Sequence, residues 1–343
     1  MTELTLSDLG WSQHFNAQLD LEEITETQPV RISAVHRSAV ATLSPEGTRD
    51  LILPQGMLAS DVAVGDWMLA HREEHRVIRR LDRFTVLQRG TEYHTTDRQL
   101  IAANLDTLFI TTSCNADFNV ARLERYLALA HDAEVTPVIL LTKADQSDDP
   151  AHYEAEAHKL GRDLEVIAFN AKSADVKSVL APWCGVGQTV ALAGSSGVGK
   201  TTIANALTGG EAETQGIRED DARGRHTTTG RSLHRIPQGG WLIDTPGMRG
   251  LGVAEVSAGI DATFPEISEL VDTCKFRDCG HETEPGCAVQ AALATGDISP
   301  ERLQRYKKLK REDALATENI AQARDRQKKF TKGVKAAMSK KKR

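Results

Sequence analysis

One unbroken run, Gly194-Ser195-Ser196-Gly197-Val198-Gly199-Lys200-Thr201, has the composition and spacing of a phosphate-binding loop. Its glycines let backbone N–H groups turn towards phosphate oxygens. Lys200 can neutralise the outer phosphate charge, and the Thr201 hydroxyl can ligate Mg²⁺, with Thr202 following in the same helical turn. A second constellation lies downstream, where Cys274, Cys279, His281 and Cys287 place four ligands within 14 residues. Three thiolates and an imidazole select zinc over Mg²⁺ and close a structural tetrahedral site with no open catalytic position. Pro285-Gly286 supplies the tight turn before the last ligand. The remaining two of the five cysteines, Cys114 and Cys184, stand alone beside apolar residues and read as buried, inert thiols.

A phosphate loop does not choose its base, and two further segments address that choice. Thr142-Lys143-Ala144-Asp145 has the form Asn/Thr-Lys-x-Asp, in which the Asp145 carboxylate accepts from both N1–H and the exocyclic amine of guanine. Adenine offers neither pairing. Asn170-Ala171-Lys172 resembles the Ser-Ala-Lys segment whose backbone N–H reaches guanine O6. Asp244-Thr245-Pro246-Gly247 matches Asp-x-x-Gly, so Asp244 is expected to hold Mg²⁺ through water and the Gly247 N–H to sense the γ-phosphate. Between them, Glu211 to Thr229 is polar and aperiodic and contains Gly224-Arg225-His226-Thr227-Thr228-Thr229, as a nucleotide-ordered switch loop would be. Set against the usual GTPase pattern, Thr142 stands where Asn is usual, losing an amide that could bond guanine N7 and brace the phosphate loop, and Asn170 stands where Ser is common; a weaker grip on GTP is the expectation.

The elements that position these residues follow from periodicity. From Val30 to about Leu87 short alternating runs, Arg31–Val35, Ser38–Thr42, Asp50–Leu53 and Trp67–Ala70, predict a small β-barrel, OB-like or SH3-like. From Asp106 strands and helices alternate: Leu108–Thr112, Val120–His131, Thr136–Thr142, His152–Leu160, Leu164–Ala168, Ala174–Leu180, Thr189–Ala193 and Lys200–Leu207. That rhythm predicts a parallel sheet covered by helices. Two β-like stretches, Arg231–Ile236 and Trp241–Asp244, come next, and the chain from Val256 reads as helical around the Cys/His cluster. The base-reading segments precede the phosphate loop, so the topology is circularly permuted, and whatever follows Gly247 hangs on the nucleotide-sensing switch.

These permuted motifs, together with Gly224–Thr229, the Cys–Cys–His–Cys spacing with Glu284-Pro-Gly-Cys287, Ala103–Asp106 and Arg122–Leu127, resemble the RsgA (YjeQ) family of small ribosomal subunit biogenesis GTPases over roughly residues 30–310. The resemblance implies a multidomain chain: an N-terminal extension and OB-like RNA-binding barrel (1–95), a circularly permuted α/β P-loop GTPase (96–253), and a helical zinc-binding domain with a basic tail (254–343). It implies GTP/GDP, Mg²⁺ and one structural Zn²⁺ as ligands, and late maturation of the small subunit with subunit-stimulated hydrolysis. It further implies that His226 is catalytic beside Lys200 and Asp244, Met248 standing where Ras-like enzymes carry a glutamine, and that Thr228 joins Thr201 and Asp244 at Mg²⁺.

Charge is unevenly distributed. Residues 301–343 hold 16 Lys+Arg against 5 Asp+Glu, a net +11, so the other 300 residues carry −17 of the chain's overall −6. Lys307–Arg311 and Lys328–Arg343 are therefore expected to meet rRNA phosphates. No apolar run is long enough to cross a bilayer, and Met1–Asp20 lacks the basic and apolar segments of a signal peptide. A cytoplasmic monomer whose partners are the small ribosomal subunit, its rRNA and other assembly factors, with no membrane, is the expectation. An alternative is an RNA-binding scaffold in which guanine nucleotide only switches conformation, and a P-loop kinase or ATPase is disfavoured by the two guanine-reading loops.

Overall fold

The structure is a computed structural model that describes residues 4–36, 39–89, 99–173, 175–210, 231–244 and 254–317. His226, Thr228, Gly247 and the rest of the switch segments, like the tail beyond residue 317, lie outside the described residues. The chain divides into two compact units. The first comprises Met1–Gln88, Leu100–Tyr126 and Ala133–Gly250, and the second Arg89–Gln99, Leu127–Asp132 and Leu251–Arg343.

In the first unit two short helices, α1 (Gln13–Asn16) and α2 (Leu21–Glu26), lead into five strands: β1 (Thr27–Val35), β2 (Val40–Ser44), β3 (Gly47–Leu51), β4 (Trp67–His71) and β5 (Val77–Arg80). β1 pairs antiparallel with both β2 and β4, β2 with β3, and β4 with β5. A parallel bridge from Ile52 to Arg76 links the β3 end to the β5 start. This is the closure of a partly open five-stranded barrel of OB type. Val30, Ile32, Val40, Leu51, Met68 and Val77 fill its interior, the alternate positions of strands with one buried face. β6 (Val86–Arg89) and β7 (Gln99–Ala103) pair as a separate two-stranded ladder.

Next come β8 (Thr107–Ser113), α3 (Val120–Asp132), β9 (Thr136–Thr142), α4 (Pro150–His158), β10 (Glu165–Ala168), α5 (Val176–Leu180), β11 (Thr189–Gly194), α6 (Lys200–Thr208), β12 (Ser232–Arg235) and β13 (Trp241–Asp244). β8, β9, β10, β11 and β13 run parallel and β12 antiparallel. The near-continuous apolar runs of β9, β11 and β13 suit strands covered on both faces. Phe109, Leu140, Val190 and Leu242 form a core with Ile203 and Leu207 of α6.

Periodicity alone left out that barrel and parallel sheet are one sheet: the order runs β10-β9-β8-β11-β13-β12-β1-β2-β3, and β1 joins β12 at Ala34 and Ser232. Arg31 of β1, fully buried, stitches the same junction. Its Nη1 donates to the Leu9 carbonyl at 2.6 Å and its Nη2 to Thr189 Oγ1 at 2.7 Å. Burial lowers its pKa to about 10, opposed by the Asp106 carboxylate, which in turn accepts from the Thr189 N–H at 2.7 Å. Asn104 and Leu105 complete the elbow through Gly65 and Thr85.

The second unit carries α7 (Ser257–Thr263), α8 (Pro265–Asp272), α9 (Ala288–Thr295) and a last helix, α10, over residues 300–317. Leu303, Tyr306 and Leu309 of α10 are buried at helical spacing. Tyr306 meets the buried Phe264 ring edge-on at 5.5 Å, and Arg302 lies 4.1 Å over its face. Arg302 to Glu266, Lys310 to Asp261 and the Val256 N–H to Asp313 then zip α10 antiparallel along α7 and α8.

Candidate functional site

The parallel strands bring their C-terminal ends to one edge, where ligands of open α/β sheets bind. β8 ends there at Ser113, β9 at Thr142, β10 at Ala168, β11 at Gly194 and β13 at Asp244. All described sequence-predicted nucleotide residues follow or close these strands. Gly194 must be glycine: its φ is +137°, and an added Cβ would lie 2.1 Å from the Thr111 carbonyl oxygen. Gly199, at φ +100°, precedes the first turn of α6. Lys200, Thr201 and Thr202 occupy that turn, so N–H groups and the positive end of the helix face the loop. The Lys200 ammonium donates to the Gly194 carbonyl at 2.8 Å and also to that of Ser195, which holds it across the loop.

Gly199 is also where the three nucleotide motifs converge. A Cβ placed on it would lie 3.6 Å from Ala171 Cβ and 3.7 Å from the Thr142 side chain. Thr142 is fully buried, and its Oγ1 donates to the Val198 carbonyl at 2.6 Å, with the Thr112 carbonyl at 3.1 Å. The brace expected to be lost with Asn is therefore present in another form, since the threonine hydroxyl reaches the phosphate loop directly. Beyond it Lys143 takes a left-handed backbone, φ +56°, and turns Ala144–Gln146 into a short 3₁₀ helix that leaves Asp145 exposed. Asn170 Oδ1 accepts from the Lys172 N–H at 2.8 Å, fixing the turn expected to be the second to read the base, and the Phe169 N–H ties it to Leu141 at 2.9 Å. Asp244 sits one residue past Ile243, which registers with Ala191 of β11, so its carboxylate belongs to the same edge. Tyr126 of α3, which the sequence reading named only within the resembling segment Arg122–Leu127 and gave no role, hydrogen-bonds the Gly194 backbone through its buried phenol. A tyrosine within an amphipathic helix carries no signal of that contact.

In the second unit the four predicted metal ligands come together, with ligand atoms all within 4.8 Å of one another. Cys274 Sγ is 3.9 Å from Cys287 Sγ and 3.6 Å from His281 Nδ1, which is 3.5 Å from Cys287 Sγ. A tetrahedron with Zn–S of about 2.3 Å and Zn–N of about 2.0–2.1 Å has edges of roughly 3.8 and 3.5 Å, so the donor set fits zinc in both type and size. The loop is prebuilt. The Glu284 carboxylate accepts from the N–H groups of Gly280, Glu282 and Thr283 at 2.8, 2.7 and 3.0 Å, which lowers its pKa to about 2. Burial, then the charge of Lys307, lowers the His281 pKa and favours the neutral imidazole a metal requires. Burial opposes ionisation of Cys274, but the Ala288 and Val289 N–H groups at the start of α9 draw its pKa below the usual value. By contrast, burial pushes the lone thiols Cys114 and Cys184 up to about 11 and 12.

One expectation changes. Of the basic run Lys307–Arg311, Lys307 donates to the His281 carbonyl and Glu282, and Lys310 to Ser257 and Asp261. Those two lysines hold the fold, while Lys308 and Arg311 are exposed.

Comparison with known proteins adds an independent line. The family described as RsgA GTPase matches residues 80–254. Small ribosomal subunit biogenesis GTPase RsgA of Mesorhizobium japonicum is 55% identical over 313 residues, covering 90% of each chain. RsgA 2 of Vibrio parahaemolyticus is 43% identical over 339 residues, covering 98% of this chain and 94% of its own. Among solved structures, YjeQ from Thermotoga maritima superposes with a TM-score of 0.60 at 21% identity, covering 82% of this chain and 97% of its own. YloQ, a circularly permuted GTPase, gives 0.58 at 22%, covering 88% and 96%. These two likenesses concern the fold.

Proposed function

The chain belongs to the RsgA family of small ribosomal subunit biogenesis GTPases, and from that premise we propose how its residues bind and hydrolyse GTP. The observation that carries the reading is the convergence of Thr142, Ala171 and the phosphate loop at Gly199, which sets a base-reading surface beside a phosphate cradle. Asp145 reads the guanine N1–H and amine, and the turn at Asn170, Ala171 and Lys172 presents backbone N–H to O6. Gly194 to Thr202 wraps the phosphates, with Lys200 passing from the loop carbonyls to phosphate oxygen. Thr201 and Asp244, with Thr228, supply hydroxyl and carboxylate oxygens of the kind Mg²⁺ takes. Bound there, Mg²⁺ neutralises charge on the β- and γ-phosphates. His226 is assigned to the switch as the residue that orients water.

Catalysis of this kind is electrostatic positioning. The sequence supplies no obvious arginine finger other than the candidate Arg225 of the switch stretch, so unstimulated turnover is expected well below about 10 s⁻¹. The zinc site, closed by four protein ligands, serves structure and leaves hydrolysis to the nucleotide edge. The barrel, Lys308, Arg311 and the tail are the candidate RNA-facing parts of a monomeric, cytoplasmic factor acting where small subunits mature. None of the described helices is long and apolar enough to cross a membrane.

The deciding experiment is phosphate release from GTP and from ATP, with and without small ribosomal subunits. GTP-selective release that rises strongly with subunits supports the assignment. Equal use of ATP would overturn the base-reading roles, and GTP turnover indifferent to subunits would overturn the ribosomal one.

A further inference from the structure

Among the ligands of the Cys/His cluster, His281 alone has a left-handed backbone, φ +55°. L side chains disfavour this conformation, so it persists where neighbours over-determine it. Here the neighbours are specific. The His281 carbonyl accepts from Gln290 Nε2 of α9 at 2.7 Å and from Lys307 Nζ of α10 at 2.8 Å, which uses both of its lone pairs. Lys307 also reaches Glu282 Oε1 at 2.7 Å, but that carboxylate is 75% exposed, whereas Lys307 is 25% exposed. The carbonyl bond, charge-assisted and sheltered, is the stronger constraint, because exposed ion pairs contribute little.

We propose that Lys307 and Gln290 are positioning residues for the metal site: they lock the His281 backbone so that Nδ1 faces the thiolates, and they make metal retention depend on helix α10. The consequence is a two-way coupling. Metal bound by His281 fixes the carbonyl that Lys307 grips, and α10, zipped along α7 and α8 through Arg302, Tyr306 and Lys310, is ordered by metal in return. The geometry also explains why a lysine inside a basic run is turned inward instead of towards solvent. The inference rests on the cluster holding a metal.

The test compares wild type with Lys307→Met, Lys307→Arg, Gln290→Ala and Glu282→Gln. Metal content of the purified proteins reads the premise. Zinc release to a chromophoric chelator, and hydrogen exchange of the α10 amides with and without chelator, read the coupling. Lys307→Met and Gln290→Ala are each expected to release zinc about tenfold faster, the scale of an outer-shell partner, while Glu282→Gln releases at the wild-type rate and Lys307→Arg recovers most of the loss. Chelation of the wild type is expected to speed exchange across 300–317. Gln290→Ala changes no residue of α10, so it remains informative if Lys307→Met frays that helix. Wild-type release rates in both Lys307→Met and Gln290→Ala, or equal acceleration by Glu282→Gln, would overturn the proposal. Protein that carries and takes up no zinc would overturn the metal reading beneath it, a result distinct from the first.

Discussion

At the scale of single residues, two buried polar side chains have roles that their types do not announce. Thr142 reads in sequence as a weakened asparagine, but its hydroxyl reaches Val198 across 56 positions of sequence. Thr142→Val is expected to leave the Val198 carbonyl without this donor and to weaken GDP binding about tenfold, the scale of one buried hydrogen bond. Thr142→Ser is expected to bind as wild type, and calorimetric titration of both checks the pair. Arg31 enters the sequence analysis only as the first residue of a β-like run, and a cation in an alternating strand ordinarily faces water. Its burial is set by Leu9 and Thr189, distant in sequence. Arg31→Met is expected to destabilise the first unit by about 2 kcal/mol, since the carbonyl and hydroxyl it served lose their donors. The deficit is also expected to grow with pH. Burial already raises the Asp106 pKa and Arg31 lowers it. Without Arg31 the carboxyl titrates still higher in the folded state, so stability present below its unfolded pKa of about 3.9 is lost as pH rises through the folded value. Urea unfolding of both proteins at pH 4 and pH 7 reads the difference; a deficit independent of pH would contradict it.

At the scale of elements, the parallel sheet, with the motif segments at one edge of it, was legible because buried strands of Leu, Ile and Val alternate with helices at regular lengths. So was the clustering of Cys274, Cys279, His281 and Cys287, whose types and spacing are local. Pairing between distant strands was not legible: periodicity identifies β1 as a strand yet says nothing of its partner β12, which lies some two hundred residues away and touches it in register at Ala34. β5, β6 and β7 were missed for a related reason, being short and rich in arginine, glutamine or alanine. The loop before α6 shows how far local reading extends. The glycine spacing pointed to phosphate binding, while only the fold reveals the Thr111 carbonyl that makes Gly194 obligatory. Gly194→Ala is expected to abolish nucleotide binding. Gly209→Ala, at the C-cap of the same helix with φ +78° and open space around it, is expected to cost about 1 kcal/mol of stability and leave binding intact. Fluorescent GDP titration and thermal unfolding of the two variants separate the effects; binding by Gly194→Ala would show that the strand end can shift to admit a Cβ.

At the scale of the whole molecule, the two compact units draw their stability from different sources. Among its described residues the first has apolar cores in the barrel and under the parallel strands of one eleven-stranded sheet, joined at β1 and β12 and at Arg31, so its barrel and nucleotide edge should unfold together. Among its described residues the second has four helices around Phe264, besides the end of α3, and the Cys/His cluster, and for so small a core the binding energy of a metal held there would be folding energy. Ligands that bind only the folded state raise its stability by mass action, about 2.7 kcal/mol at a hundredfold excess over Kd. Two calorimetric transitions are therefore expected, and they should respond to opposite reagents. Excess GDP with Mg²⁺ should raise the transition of the first unit and leave the other in place. A chelator should lower or erase the second and leave the first nearly unmoved. The Arg31→Met variant assigns the peaks, because it should shift only the nucleotide-sensitive one. A single transition that moves with both reagents would mean that sheet and metal module unfold as one, and that zinc contributes to the stability of the nucleotide site itself.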